Sequence, residues 1–333
     1  MKIDAGIPTY DPRESGKATK ALEEAGYDGA FTAETSHDPF LPLVTAAIET
    51  EKIELVTAIA VAFARNPMTL ANLGYDLHKL SEGRFILGLG SQIKPHITKR
   101  FSMPWSNPAA RMKELIEAIR AIWDSWQNET PLEYESGHYN LNLNVPLFTP
   151  SPLEADPIPI HIAAVNPGMF KVAVEIAEGV RLHPVCGAKY ISNTLLPLMK
   201  ESQEKIFEIC LKPLVASARD EETLVERKES VRQRLAFYLS TPAYAKAFEV
   251  YGLEDLCVHM NRLSRESRWE DMSEMVTNEL LEEIAIVGLY GELAEKIKNR
   301  YGGFLDRIEL SIPVNNLEDE EELGQIVLDL GKV

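Results

Sequence analysis

The sequence predicts an α/β fold, a single (β/α)8 TIM barrel of 333 residues carrying helical and loop insertions. Three observations lead there. Short runs rich in β-branched and aromatic residues alternate with amphipathic helical segments from the first residues onward, as parallel βα units require. Eight such runs can be found, and no linker-like change of composition divides them, so residues 1–333 read as one barrel domain. Hydrophobic residues make up 45% of the chain and charged residues 26%, enough apolar material for one large core, with no low-complexity tract.

In chain order, the first strand is expected at Ile3–Tyr10, followed by a helix from Pro12 to Ala25 that Gly26 terminates. The second strand is Gly29–Glu34, and its helix lies near Pro39–Glu51. The third, Ile53–Val61, leads to Asn66-Pro67, where a first-turn proline forfeits no hydrogen bond, and a helix to Leu80. The fourth strand, Arg84–Gln92, is an apolar run that ends in Gly88-Leu89-Gly90-Ser91-Gln92. By itself this ending reads either as a glycine-kinked core strand or as a strand that lets a ligand approach its backbone. It lacks the third glycine and the following helix of a dinucleotide fingerprint.

Residues 93–106 make an unusually long connection, the expected place for a lid. Asn107-Pro108 opens the fourth helix, where Leu115, Ile116, Ile119, Ile122, Trp123 and Trp126 share one core-facing side. Residues 129–157, rich in Pro, Asn and Tyr, read as an excursion from the barrel, and 241–283 as a helical insertion. Strands five to eight are Ile158–Val165, Gly179–His183, one within Ile209–Ala218, and Leu305–Ile312. The helices between and after them end near Glu178 or span Lys189–Lys205, Asp220–Tyr238, Tyr290–Tyr301 and Leu317–Leu330.

Acidic residues outnumber basic ones by 51 to 34, and a net charge of −17 repels nucleic acid and anionic membranes. The expected partner is a small-molecule substrate, and an anionic ligand needs a local basic site. Cys186, Cys210 and Cys257 show neither CxxC spacing nor an even count, so no disulfide or thiolate metal site is expected. No basic stretch followed by an apolar one opens the chain, and no run of about eighteen apolar residues occurs, so the expected location is the cytoplasm.

In such a barrel, ligands bind at the carboxyl ends of the strands. That rule selects Thr9-Tyr10, Glu34 to Asp38, Ala60 to Arg65, Gly90 to Lys94, Val165 to Gly168, His183 to Lys189, Ser217 to Arg219 and Ser311 to Val314.

Several of these ends, taken together, resemble the luciferase-like monooxygenase family, and in particular its coenzyme F420-dependent branch. The resemblance rests on Ala25-Gly26-Tyr27-Asp28-Gly29 leading to Glu34, on Asn66-Pro67, and on Gly83-Arg84-Phe85-x-Leu87-Gly88-x-Gly90. It continues through Arg111-Met112-x-Glu114, Ile162-Ala163-Ala164 with Pro167, and Ile286-Val287-Gly288. It spans nearly the whole chain apart from 129–157 and 241–283, and it implies the same barrel, with a homodimer as the assembly common among relatives.

The resemblance implies that Glu34 contacts a deazaflavin ring and that a non-proline cis peptide around Thr57-Ala58-Ile59 supports the ring's face. Gly88, Gly90, Ser91 and Gln92 would lie beside the ring. Ala164 and the turn Asn166-Pro167-Gly168, with Gly187 and Lys189 of the segment starting at His183, would hold the tail phosphate. Two departures stand out. Val165-Asn166-Pro167-Gly168 replaces the family's Ser-Gly-Pro turn, and Ser91 stands where the F420-dependent sugar-phosphate dehydrogenases carry a proton-donating glutamate, which argues against that activity.

A deazaflavin moves hydride, which leaves one proton for the protein to manage. Histidines at strand ends suit that task. His37 and His183 are therefore candidate catalytic residues alongside Glu34, each with an alternative: a surface-loop histidine for His37, phosphate binding or packing for His183. His96 is a further candidate, whereas His161 reads as a hydrogen-bonded barrel histidine and His78, His138 and His259 as structural or solvated. Arg65 suits an anionic substrate, and Arg111 reads as a salt-bridge residue of the fourth helix. Three functions remain open at this point: an F420-dependent oxidoreductase, an FMN-dependent monooxygenase on the same barrel, and a non-enzymatic flavin or phosphate binder.

Overall fold

A computed structural model describes residues 1–199, 206–310, 312 and 317–331, with the side chains of 317–321 left out. Eight parallel strands close on themselves: β1 (Lys2–Gly6), β2 (Gly29–Thr32), β3 (Glu54–Thr57), β4 (Phe85–Gly90), β5 (Ile160–Ala164), β6 (Gly179–Leu182), β7 (Glu208–Leu211) and β8 (Arg307–Leu310). Closure runs through Leu55 opposite Phe85 and through Lys2 opposite Arg307. The α/β barrel predicted from alternation is therefore the fold, and its strand order follows the chain.

The helices begin where local chemistry starts them. Asn66 accepts the Thr69 N–H at 2.8 Å and Asn107 accepts the Ala109 N–H at 3.1 Å, each just ahead of a first-turn proline. Gly26 takes φ of +88° beyond the first helix, the left-handed geometry that favours glycine. The fourth-helix face is core as expected, with Trp126 fully buried and the Trp123 indole N–H donating to the Ala71 carbonyl at 3.0 Å.

Three elements depart from expectation. The seventh strand divides: Glu208–Leu211 stays in the barrel, while Val215–Ala218 leaves it and pairs with Ile286–Leu289 in a separate two-stranded parallel sheet. The third strand breaks after Thr57 and resumes as Ala60–Val61. The sixth helix is only a turn, Ala188–Tyr190, continued by irregular turns to Leu198, and the part expected at Lys200–Lys205 lies outside the described residues, as do Ser311, Pro313 and Val314. The insertions take the forms of a π-helical turn at His96–Arg100, a small hairpin of Tyr134–Glu135 with Asn140–Leu141, and helices Glu254–Arg265, Trp269–Glu274 and Asn278–Ile284. No helix among the described residues is long and apolar enough to cross a membrane.

The barrel's inside is not packed in apolar layers throughout. Toward the amino ends of the strands, Arg307 binds Asp4 Oδ1 at 2.6 Å, Glu208 Oε2 at 3.2 Å and Glu54, and Arg181 binds Asp4 Oδ2 at 3.4 Å and Glu309. Buried charges survive only when paired, and these are paired on several sides. Above them Phe31, Val56 and Ile86 form an apolar layer with Ala58. A ligand has to enter from the carboxyl ends.

Candidate active site

At the mouth, the wall built on β2, β3 and β4 is tied together by backbone. The Ala58–Ile59 peptide bond is cis, at the place the family resemblance indicated. Ala58 N–H donates to the Thr32 carbonyl at 2.7 Å, and Glu34 N–H to the Ile59 carbonyl at 3.2 Å. Thr57 Oγ1 donates to the Gly88 carbonyl at 2.8 Å and accepts the Gly88 N–H at 2.9 Å.

The two glycines of β4 make this contact possible. A Cβ on Gly88 would stand 1.7 Å from the Thr57 carbonyl oxygen, and one on Gly90 would stand 2.6 Å from Ile59 Cδ1. Their missing side chains make room for the third strand and its continuation, which fill the space beside both glycines. Ser91 Oγ donates to the Gln92 carbonyl at 3.2 Å, and the Gln92 side chain accepts the Ile93 N–H at 2.9 Å with φ of +56°.

Glu34 belongs to the same wall. Its Oε2 accepts the Val61 N–H at 2.6 Å and Arg65 Nη1 at 2.6 Å, while Arg65 Nη2 reaches Asp38 Oδ2 at 2.9 Å. The Glu34 and Arg65 side chains are 6% and 15% exposed, so this ion pair is largely withdrawn from solvent. Arg65 is thus spent on Glu34 and Asp38. His37 and His96 are exposed on neighbouring loops, and Arg100 ties the long connection to β2's loop by donating to the Thr35 carbonyl at 2.6 Å.

The opposite wall rises from β6 and β7. Cys210 pairs in register with Arg181, so Lys212 and His183, two residues farther along each strand, face the same side as neighbours. The His183 ring lies 4.5 Å from that of Tyr244 and 4.9 Å from that of Tyr238. Its Nδ1 accepts the Val185 N–H at 3.4 Å, which leaves the proton of the neutral ring on Nε2. Burial, and then the charge of Lys212, push its pKa down to about 4, so the ring is neutral at pH 7. The Lys212 ammonium stands 4.7 Å from the Phe31 ring centre, and burial lowers its pKa.

Between the walls, β5 leads into the helix Pro167–Ile176. Asn166 makes no capping bond; its Nδ2 donates instead to the Ala243 carbonyl at 3.1 Å. Nothing lies within 4 Å of a Cβ built on Gly168, so this helix start is open, and Ala164 is buried beneath it. Gly187 and Lys189 are placed otherwise than expected. The buried Tyr251 hydroxyl fills the space beside Gly187, and Lys189 pairs with Glu283 at 2.8 Å.

Other readings also change. His161 is not a hydrogen-bonded histidine among the described residues: Nδ1 has no partner there and Nε2 is 3.7 Å from Glu208. Arg111 donates to the Pro104 carbonyl at 2.7 Å and stacks 4.4 Å over Phe63, with no carboxylate beside it among the described residues. Cys186 is buried, and burial raises its thiol pKa to about 12, in line with a packing role. Sequence reading missed Lys212, Tyr238, Tyr244 and Phe31. A lone lysine ending the apolar run Ile209-Cys210-Leu211 was the available signal for the first.

A closed parallel barrel, with a backbone-tied wall facing a histidine–lysine wall at its carboxyl end, has the architecture of TIM-barrel enzymes, whose sites lie at that end. The chain belongs to the luciferase-like monooxygenase family, whose model matches residues 2–307. An uncharacterized protein of Mycobacterium tuberculosis is 44% identical over 315 residues, 92% of each chain. The F420-dependent glucose-6-phosphate dehydrogenase of Kineococcus radiotolerans is 29% identical over 213 residues, 60% of this chain and 61% of the relative. Among solved structures, the coenzyme F420-dependent tetrahydromethanopterin reductase of Methanopyrus kandleri superposes with a TM-score of 0.78 at 20% identity, covering 98% and 99% of the two chains.

Proposed function

We propose that this chain is an F420-dependent oxidoreductase that transfers a hydride between the deazaflavin and a small organic substrate. The observation that carries the proposal is the wall of Thr57, Ala58 and Ile59 seated on Gly88 and Gly90, a backbone-tied surface at the carboxyl end of the barrel. Fit to the cofactor is supported at two places. Thr57, Ala58, Ile59, Gly90, Ser91 and Gln92 offer one face to a flat ring, and the open start of Pro167–Ile176 offers the Gly168 backbone N–H, unpaired among the described residues, to an anionic tail at Asn166-Pro167-Gly168. Gly187 and Lys189 do not share that role, because Tyr251 and Glu283 occupy them.

The cofactor, when bound, supplies hydride transfer; the chain orients the substrate and handles the proton. His183, neutral and with N–H on Nε2, is a hydrogen-bond donor to substrate oxygen. Glu34 acts through the wall, by holding the Val61 backbone and Arg65, and is a positioning residue. His37, exposed at the rim, is free to meet a substrate from the open side.

Fluorescence titration of the purified chain with F420 and, separately, FMN tests the proposal. Saturable F420 binding with weaker FMN binding is expected. Tight FMN binding without F420 binding would overturn it in favour of an FMN-dependent monooxygenase.

A further inference from the structure

We infer that Lys212 is the carboxylate anchor of the mouth: the substrate is a small organic acid with a flat apolar body, its carboxylate on the Lys212 ammonium beside His183 and its body against Phe31, Tyr238 and Tyr244. The inference deepens the oxidoreductase reading and rests on it for the word substrate.

The argument starts from what the ammonium lacks. Acidic residues exceed basic ones by 51 to 34, yet the Lys212 ammonium has no hydrogen bond or ion pair among the described residues and rests on the Phe31 ring. The nearby interior carboxylates are already engaged, Glu309 by Arg181 and Asp4 by Arg181 and Arg307. A partly buried ammonium without a counter-ion is costly, and a cation–π contact returns only about 0.5–2 kcal/mol. An anion from outside the chain completes the arrangement.

Its neighbours shape that anion. Register puts His183 beside Lys212, where its Nε2–H is a second donor. Arg234 lies one helical turn before Tyr238 on the same face and adds positive potential. The remaining surfaces are rings, Phe31 below and Tyr238 and Tyr244 around His183. A carboxylate joined to a flat apolar group matches donors and rings together, whereas a neutral amide leaves the ammonium unpaired. The open helix start at Gly168 lies on β5's side of the mouth, two strands from Lys212, so the cofactor tail and this anion have separate sites.

The test uses the full-length chain with benzoate as probe and benzamide as its neutral isostere, titrated calorimetrically at low salt with and without saturating F420. Benzoate is expected to bind at least tenfold more tightly than benzamide and to protect Lys212 from trinitrophenylation, read by peptide mapping. Lys212→Met is expected to weaken benzoate at least tenfold and leave F420 affinity within twofold, while Lys212→Arg retains most of the binding. Absence of benzoate binding to the wild type, equal binding of benzamide, or an unchanged Lys212→Met variant overturns the inference. So does a matching loss of F420 affinity, which would assign the ammonium to the cofactor. The protection experiment needs no variant and stands even if Lys212→Met does not fold. Benzoate binding without F420 binding sinks the cofactor reading alone.

Discussion

Replacing Glu34 by glutamine separates a wall-building role from direct contact with a cofactor ring. In the wall, one carboxylate oxygen accepts two charge-assisted bonds, from Val61 N–H and Arg65 Nη1, both at 2.6 Å. Bonds to charged groups contribute about 1.5–3 kcal/mol and neutral ones about 0.5–1.5, so glutamine, which keeps an acceptor but loses the charge, costs about 2 kcal/mol. An unfolding entropy of about 2.1 cal/mol/K per residue gives about 0.7 kcal/mol/K for this chain, and hence a fall in Tm of about 3 °C.

Alanine leaves the N–H of fully buried Val61 unpaired and Arg65 with Asp38 and one backbone carbonyl, at about 3–4 kcal/mol or about 5 °C. Asp38→Asn is the control: Asp38 is 41% exposed, and removing its half of the bridge costs less than about 1 kcal/mol. Calorimetric scans at one fixed rate measure all three, because chains of this size often unfold irreversibly. A Glu34→Gln variant with wild-type Tm but abolished F420 binding refutes the wall argument and restores Glu34 to direct contact.

Gly88→Ala drives a Cβ toward the Thr57 carbonyl, which is backbone and cannot rotate away, so loss of soluble folded protein or destabilisation beyond about 4 kcal/mol is expected, read by circular dichroism and urea unfolding. Gly168→Ala, with open space around it, is expected to fold as the wild type does, and equal behaviour of the two variants would contradict the account of β4. His183 makes stability pH-dependent. Its folded pKa of about 4 lies below its ordinary 6.5, so between these values the unfolded chain binds more protons and stability rises with pH. The gain is at most about 3 kcal/mol. Urea titrations from pH 4.5 to 7 are expected to show a shallower slope in His183→Asn, and an unchanged slope counts against a buried neutral ring.

Much of the barrel was legible because its signals are local. Asn66-Pro67 and Asn107-Pro108 start helices with their own side chains, Gly26 stops one with its own backbone, and the apolar runs of β4 and β5 are buried whichever neighbour they meet. The departure of Val215–Ala218 from the barrel was not legible, since its partner Ile286–Leu289 lies beyond the whole helical insertion. Glu34 was found as a strand-end acid, but its engagement by Arg65 depends on a chain reversal that periodicity does not report.

Sequence alone determined the fold class, the order of the strands and most of the strand ends from which a site must be drawn, because period-two and helical patterning and caps act over a few residues; the seventh end, expected at Ser217–Arg219, lies instead at Leu211. Tertiary structure alone decided what those ends touch. The absent side chains of Gly88 and Gly90 give space that only the path of β3 shows to be filled, and strand register brings Glu309 and Asp4 onto arginines while the Lys212 ammonium has no ion pair among the described residues. Both outcomes come from contacts across the barrel, where distance along the chain carries no information about distance in space.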